Sequence, residues 1–123
     1  MEVRKIKTLV IGASPNAARY SNLATKELVK NHHQVVAYGR RPGKIGHTII
    51  ETVLKDYEDI DTVTLYLNPS NQIEYYDYIL SLKPRRIIFN PGTENPELIA
   101  LAKKNGILTE VGCTLVMLSL SSY

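Results

Sequence analysis

Apolar positions along the chain follow two rhythms. Short runs rich in Leu, Val and Ile alternate with longer stretches in which apolar residues recur every three or four positions. The first run, residues 7–11 (KTLVI), enters the small-residue turn Gly12-Ala13-Ser14-Pro15-Asn16-Ala17, and a helix-compatible segment extends to about Asn31. This helix is predicted to start near Ser21 or Asn22, either of which can cap it. Ala24, Leu28 and Val29 form its inner stripe, and Asn31 supplies a left-handed cap.

The alternation continues. Residues 35–38 are the second strand and 47–50 a short third, while 51–57 has no clear period. The run DTVTLYL at 61–67 is β-branched and reads as the fourth strand. Asn68-Pro69 is a cap followed by a first helical residue. The helix it opens, over 70–82, turns Ile73, Tyr76, Ile79 and Leu80 inward. Residues 86–90 are the fifth strand. Asn95-Pro96 opens a helix with Leu98, Leu101 and Ala102 inside and Gly106 as its stop. Residues 107–111 are the sixth strand, and a short helix over 114–120 follows.

Strands alternating with helices predict an α/β, Rossmann-like, doubly wound fold. Its mostly parallel sheet has five or six strands, with helices on both faces. In the order 3-2-1-4-5-6 the switch point falls between the first and fourth strands. Three loops meet there: 12–17, 40–46 and Asn68-Pro69.

The 123 residues form a single domain, 1–123, and 44% hydrophobic residues are enough for a core. No apolar run is long enough for a membrane span. Met1 to Lys5 leads straight into the first strand, which leaves no room for a signal peptide. The lone cysteine, Cys113, excludes an internal disulfide and cysteine-rich metal motifs. His32 and His33 are adjacent and point apart in a turn, a poor arrangement for a metal. These features predict a cytoplasmic protein with no metal site. A net charge of +3 falls short of a nucleic-acid footprint. Part of that charge is concentrated, however, since Arg40, Arg41 and Lys44 lie within five positions.

The first turn departs from the dinucleotide fingerprint G-x-G-x-x-G/A. It has Gly12, then Ser14 where the second glycine belongs, then Ala17. Gly12 can take angles closed to other residues, and the helix start beyond suits a phosphate. On this reading valine at Gly12 abolishes ligand binding and leaves the fold largely intact. The alternative is a strand–helix joint without a ligand. After the second strand a dinucleotide fold places the adenosine ribose. The chain has three cations there and no acid to hold bare ribose hydroxyls, which calls for a phosphate on that ribose. A solvated basic loop is the other reading.

Taken together, VIGASPN at 10–16, PGKIG at 42–46, LNP at 67–69 and the late Cys113 resemble the small stand-alone CoA-binding proteins. These are relatives of the CoA-binding domain of succinyl-CoA synthetase, and the resemblance covers nearly the whole chain. It implies that Ser14, Pro15, Asn16 and Ala17 lie along the pyrophosphate region. It further implies that Lys44 contacts the nucleotide phosphates and that Asn68 and Pro69 border the pantetheine. It carries over no synthetase activity, because the ligase domain and phosphohistidine segment have no counterpart here. Thr114 follows Cys113 where the stand-alone proteins often have proline.

Two function classes compete. One is a non-catalytic protein binding CoA or acyl-CoA through Gly12, Ala13, Ser14, Pro15, Asn16, Ala17, Arg40, Arg41, Lys44, Asn68 and Pro69. The other is an NADP-dependent oxidoreductase, to whose 2′-phosphate the basic loop is equally suited. Against it, none of the histidines falls after the fourth or fifth strand. Nor do Tyr75, Tyr76 and Tyr78 have a lysine four positions on. An interaction subunit with a vestigial pocket is a third possibility. No catalytic residue, nucleic-acid partner or membrane partner is predicted.

Overall fold

The computed structural model describes residues 5–123. The predicted lead into the first strand lies partly outside them, at residues 1–4.

Among the described residues seven strands form one sheet, ordered β3-β4-β2-β1-β5-β6-β7. They are β1 (Lys7–Ile11), β2 (Gln34–Tyr38), β3 (Gly43–Ile45), β4 (Thr48–Glu51), β5 (Thr62–Leu65), β6 (Arg86–Phe89) and β7 (Leu108–Val111). All neighbours pair in parallel except β3 and β4. This is the predicted order with one strand added at the edge. The addition comes from the basic loop, whose residues 43–45 fold back on β4 in antiparallel register, Ile45 opposite Thr48. The two residues between them are Gly46 and His47. Gly46, with φ +62°, stands where a two-residue hairpin turn wants glycine.

The helices cover both faces, as in a doubly wound Rossmann-like fold. On one face α1 (Tyr20–Lys30) and α5 (Thr114–Ser119) pack near each other. On the other lie α2 (Pro69–Gln72), a 3₁₀ turn (Ile73–Tyr75), α3 (Tyr76–Ser81) and α4 (Pro96–Lys104). Alternation along the strands divides the core. Leu9, Ile11, Val63, Leu65, Ile87 and Phe89 cluster with Ile79, Leu98 and Ala102. Val10, Ala37 and Ile50 cluster with Leu28 and Leu118.

The α5 side is unusually polar within. Thr8, Thr62, Thr64, Arg86 and Asn90 are all buried there or at its margins. Thr8 Oγ1 meets the Tyr123 hydroxyl at 2.5 Å, Arg86 Nε donates to Thr62 Oγ1 at 3.2 Å, and Thr64 Oγ1 bonds Thr114 Oγ1 at 2.8 Å. The Arg86 guanidinium lies 4.6 Å from the centre of the Tyr123 ring. Asn90 donates to Leu65 O and Thr64 Oγ1, and its Oδ1 accepts from Thr114 N at 2.9 Å. That last bond needs an N–H, so proline at this position could not make it.

Several local expectations are corrected. The α1 helix begins after Arg19 with no side-chain cap, and Ser21 and Asn22 fall inside its first turn. Its inner face is Ser21, Asn22, Ala24, Thr25 and Leu28, whereas Val29 is 48% exposed. At its end His32, not Asn31, takes the left-handed conformation (φ 66°). His33 N–H then reaches Leu28 O and His32 N–H reaches Val29 O, the paired bonds of a Schellman ending. The helix predicted over 70–82 is broken by the 3₁₀ turn. Its tighter winding leaves Ile73 59% exposed and carries Tyr75 inside.

Candidate functional site

At the carboxyl ends of the strands a cavity of about 480 Å³ crosses the sheet, within the usual range for ligand clefts. Its lining comes in turn from the ends of four adjacent strands. These are Arg41 beyond β2, Gly12, Ser14 and Asn16 beyond β1, Tyr66, Leu67 and Asn68 beyond β5, and Pro91, Gly92 and Thr93 beyond β6. Three interstrand spacings make this about 14 Å. The start of α1 closes it with Arg19, Tyr20 and Ser21.

The first turn is built from its own side chains. Ser14 Oγ accepts from Asn16 N at 3.1 Å, and Asn16 Oδ1 accepts from Ala18 N at 2.9 Å. Asn22, in the first turn of α1, donates to Ser14 O at 2.9 Å and ties the loop to the helix. The Ser14 hydroxyl accepts in this arrangement and keeps its proton to donate. No side chain caps α1; Arg19 N and Asn22 N bond to Asn16 O and Arg19 O, and Tyr20 and Ser21 bring the partial positive charge of the helix start to the cavity wall.

Backbone contact locks this turn to its neighbours. Gly12 N and Ala13 N both donate to Tyr38 O, at 3.0 and 2.9 Å. A Cβ on Gly39 would stand 2.1 Å from Ala13 O, so only glycine lets β2 leave the sheet this close to the turn. Gly12 has φ +98°, and a Cβ there would stand 2.9 Å from the Tyr66 backbone. Its openness therefore serves the approach of β1 to the β5 loop. Valine at Gly12 would disturb the fold itself, contrary to the expectation from sequence.

The structure gathers five of the predicted residues into the cavity wall: Gly12, Ser14, Asn16, Arg41 and Asn68. The other six do not line it. Ala13 is buried beneath the turn. Pro15 packs against Gly43, and Ala17 is exposed. Arg40 pairs with Glu74 at 3.3 Å, and exposed Lys44 sits in edge strand β3 opposite Ile49. Pro69 is the first residue of α2, whose cap Asn68 accepts from Asn71 N.

The lining residues that sequence reasoning missed are Arg19, Tyr20, Ser21, Tyr66, Leu67, Pro91, Gly92 and Thr93. The last three were legible in principle, since the Asn-Pro-Gly-Thr turn follows the strand beside the switch point. Tyr66 packs its ring into the core, where burial pushes its pKa well above the ordinary tyrosine range. The Thr64 and Thr114 hydroxyls beside it bond each other, Thr64 also accepting from Asn90, and the Tyr66 hydroxyl has no partner in hydrogen-bonding geometry.

Charge is unevenly spread along the cavity. Arg41, Arg19 and the α1 N-terminus lie at the β2–β1 end, whereas the β5–β6 end is lined by uncharged residues. Among the described residues no group of three or more His, Cys, Asp or Glu side chains is placed to hold a metal. Cys113 is half-buried at the start of α5, outside the lining. No described helix is long and apolar enough to cross a membrane.

Comparison with solved structures finds a close relative of the whole chain. A crystal structure described as an uncharacterized protein is 48% identical, with a TM-score of 0.95 over 98% of this chain and 99% of its own. A hypothetical protein from Pyrococcus horikoshii OT3 is 23% identical over 92% of this chain and 81% of its own, with a TM-score of 0.82. A protein from Thermus thermophilus is 17% identical over 97% of this chain and 91% of its own, also with a TM-score of 0.82. These two share the fold. No curated protein matches the chain. The family model described as CoA binding domain matches residues 7–119, nearly the whole sequence, and the chain belongs to that CoA-binding domain family.

Proposed function

We propose that this protein binds CoA or acyl-CoA and performs no chemistry of its own on the ligand. The observation that carries the reading is the uneven charge of the cavity. CoA has its phosphates on the nucleotide half and an uncharged pantetheine arm on the other. The Arg41, Arg19 and α1 end fits the first half, and the Tyr66–Asn68 and Pro91–Thr93 end fits the second. In this orientation the Ser14 hydroxyl and the uncapped N–H groups of α1 hold the pyrophosphate. The basic loop 40–46 then meets the 3′-phosphate of the ribose. A single free thiol, Cys113, is in keeping with a reducing cytoplasm.

Calorimetric titration with CoA, dephospho-CoA and NADP tests this. CoA is expected to bind roughly tenfold to a hundredfold more tightly than dephospho-CoA, the worth of one charge-assisted contact. Acyl-CoA incubated with the protein should be recovered unchanged. Equal affinity for CoA and dephospho-CoA would remove the 3′-phosphate assignment. Tighter binding of NADP than of CoA would replace the reading with an oxidoreductase.

A further inference from the structure

The uncharged end of the cavity is made by two separate loops, and one side chain spans them. Gln72, the last residue of α2, is fully buried. Its Nε2 donates to Leu67 O at 2.8 Å and to Thr93 O at 2.8 Å. Leu67 and Thr93 both line the cavity, one on each loop. The remaining polar atom, Oε1, accepts from Asn95 Nδ2 at 2.9 Å. Asn95 is itself fixed. Its other Nδ2 hydrogen goes to the Tyr76 hydroxyl at 2.8 Å, and its Oδ1 accepts from Glu97 N and Leu98 N at the start of α4. The amide of Gln72 thus has both donors committed to cavity-wall carbonyls, and its orientation is dictated from behind by a helix cap.

We infer that Gln72 is a positioning residue that sets the separation of the β5 and β6 loops, and with it the fit of the cavity to the pantetheine arm. The inference rests on the CoA reading above. Each loop follows its own strand, and the pairing of β5 with β6, which starts at Thr62 and Arg86, ends at Leu65 and Phe89. Beyond that point the wall carbonyls need another tie, and a buried carbonyl without a donor is costly. One amide satisfying two carbonyls does both jobs. Glutamine is required, because glutamate offers no donor and an apolar side chain leaves both carbonyls bare.

The experiment compares the parent with Gln72→Met and Gln72→Glu. Each is titrated with CoA and with adenosine 3′,5′-bisphosphate, which lacks the pantetheine arm. Hydrogen exchange is followed in segments 66–69 and 91–94. In both variants CoA should weaken about tenfold or more, the equivalent of one lost hydrogen bond's worth of wall geometry. The bisphosphate should stay within about twofold, and exchange should rise together in the two segments while β1 is unchanged. Equal weakening of both ligands would mean a general structural role and overturn the inference, as would unchanged CoA affinity. If the parent fails to bind CoA, the CoA reading falls, while the exchange data still decide whether Gln72 ties the two loops. Should neither variant fold, Asn95→Asp makes the same measurement. It keeps the α4 cap and removes the donor that orients Gln72.

Discussion

Arg40 and Glu74 form an ion pair at 3.3 Å that holds Arg40 against the 3₁₀ turn, so that of two adjacent arginines only Arg41 lines the cavity. Both partners of the pair are exposed, which limits its worth to stability. Its consequence is directional. The pair sorts two chemically identical side chains into one that braces the loop and one that faces a ligand.

Arg41→Ala is therefore expected to weaken CoA about tenfold or more, and Arg40→Ala by no more than about threefold. Lys44→Ala should fall between them, since strand β3 holds its backbone outside the cavity wall. Repeating the titrations with dephospho-CoA completes a double cycle for each cation. The residue whose loss no longer matters without the 3′-phosphate is the one that contacts it, and Arg41 is expected to be that residue. A larger effect at Arg40 than at Arg41 would reverse the assignment.

Gly12 calls for a stability measurement before a binding one. Its φ of +98° lies where L side chains are strained, and a Cβ would meet the Tyr66 backbone at 2.9 Å. The backbone conformation alone costs an alanine about 1–3 kcal/mol. Gly12→Ala should lower the urea midpoint clearly, and Gly12→Val should approach failure to fold. Loss of binding in either variant with an unchanged midpoint would instead show that the glycine is kept for the ligand.

The strand order was legible because buried runs and strand–helix alternation are strong signals, and right-handed crossovers leave few arrangements. The hairpin at 43–51 also has a local signal, Gly46-His47 between Ile45 and Ile49-Ile50. With Arg40, Arg41 and Lys44 beside it, the segment has the composition of a solvated basic loop, and charge masks the pairing pattern. Tyr75 and Ile73 were exchanged because a helical period was extended through a 3₁₀ turn that only tertiary packing reveals. The ring of Tyr38, 5.7 Å from that of Tyr75, supplies this packing. The candidate site divides the same way. Residues whose backbone forms the turn were found from sequence. The Gln72 brace and Arg19 depend on how separate loops meet, which no local pattern encodes.

Thr114 stands where the stand-alone family members often carry proline, and here its N–H and hydroxyl are both used. The N–H meets Asn90 Oδ1 at 2.9 Å and the hydroxyl meets Thr64 at 2.8 Å, all buried. Thr114→Pro suits the first position of α5 in backbone terms but strands Asn90 Oδ1, while Thr64 Oγ1 keeps the bond it accepts from Asn90. A loss of about 1–3 kcal/mol is expected, the cost of one buried acceptor left without a donor. Chemical denaturation would detect it. A neutral result would mean that Asn90 finds another donor.

The stability of the protein should fall on the acid side through His33. This ring stands at the other end of the sheet from the cavity, 5.1 Å from the ring of Tyr123. Its Nδ1 accepts from Ile6 N at 3.0 Å, so the neutral form carries its proton on Nε2. A second proton would have to occupy Nδ1, where it would face the Ile6 N–H. Burial, then the nearby Arg86 guanidinium and His32, hold the His33 pKa below its ordinary value. In the unfolded chain the imidazole takes its proton near pH 6.5. Below that pH the unfolded state binds more protons than the folded one, so stability rises with pH across the window and is lost as the pH falls. The decline begins near pH 6.5 and levels off below the depressed folded-state value. Urea midpoints measured from pH 8 to pH 4.5 on the parent and on His33→Gln check this. Glutamine can still accept from Ile6 N and cannot titrate, so the variant should keep most of the stability at pH 8 and lose the slope near pH 6. The same slope in both proteins would assign it to another group.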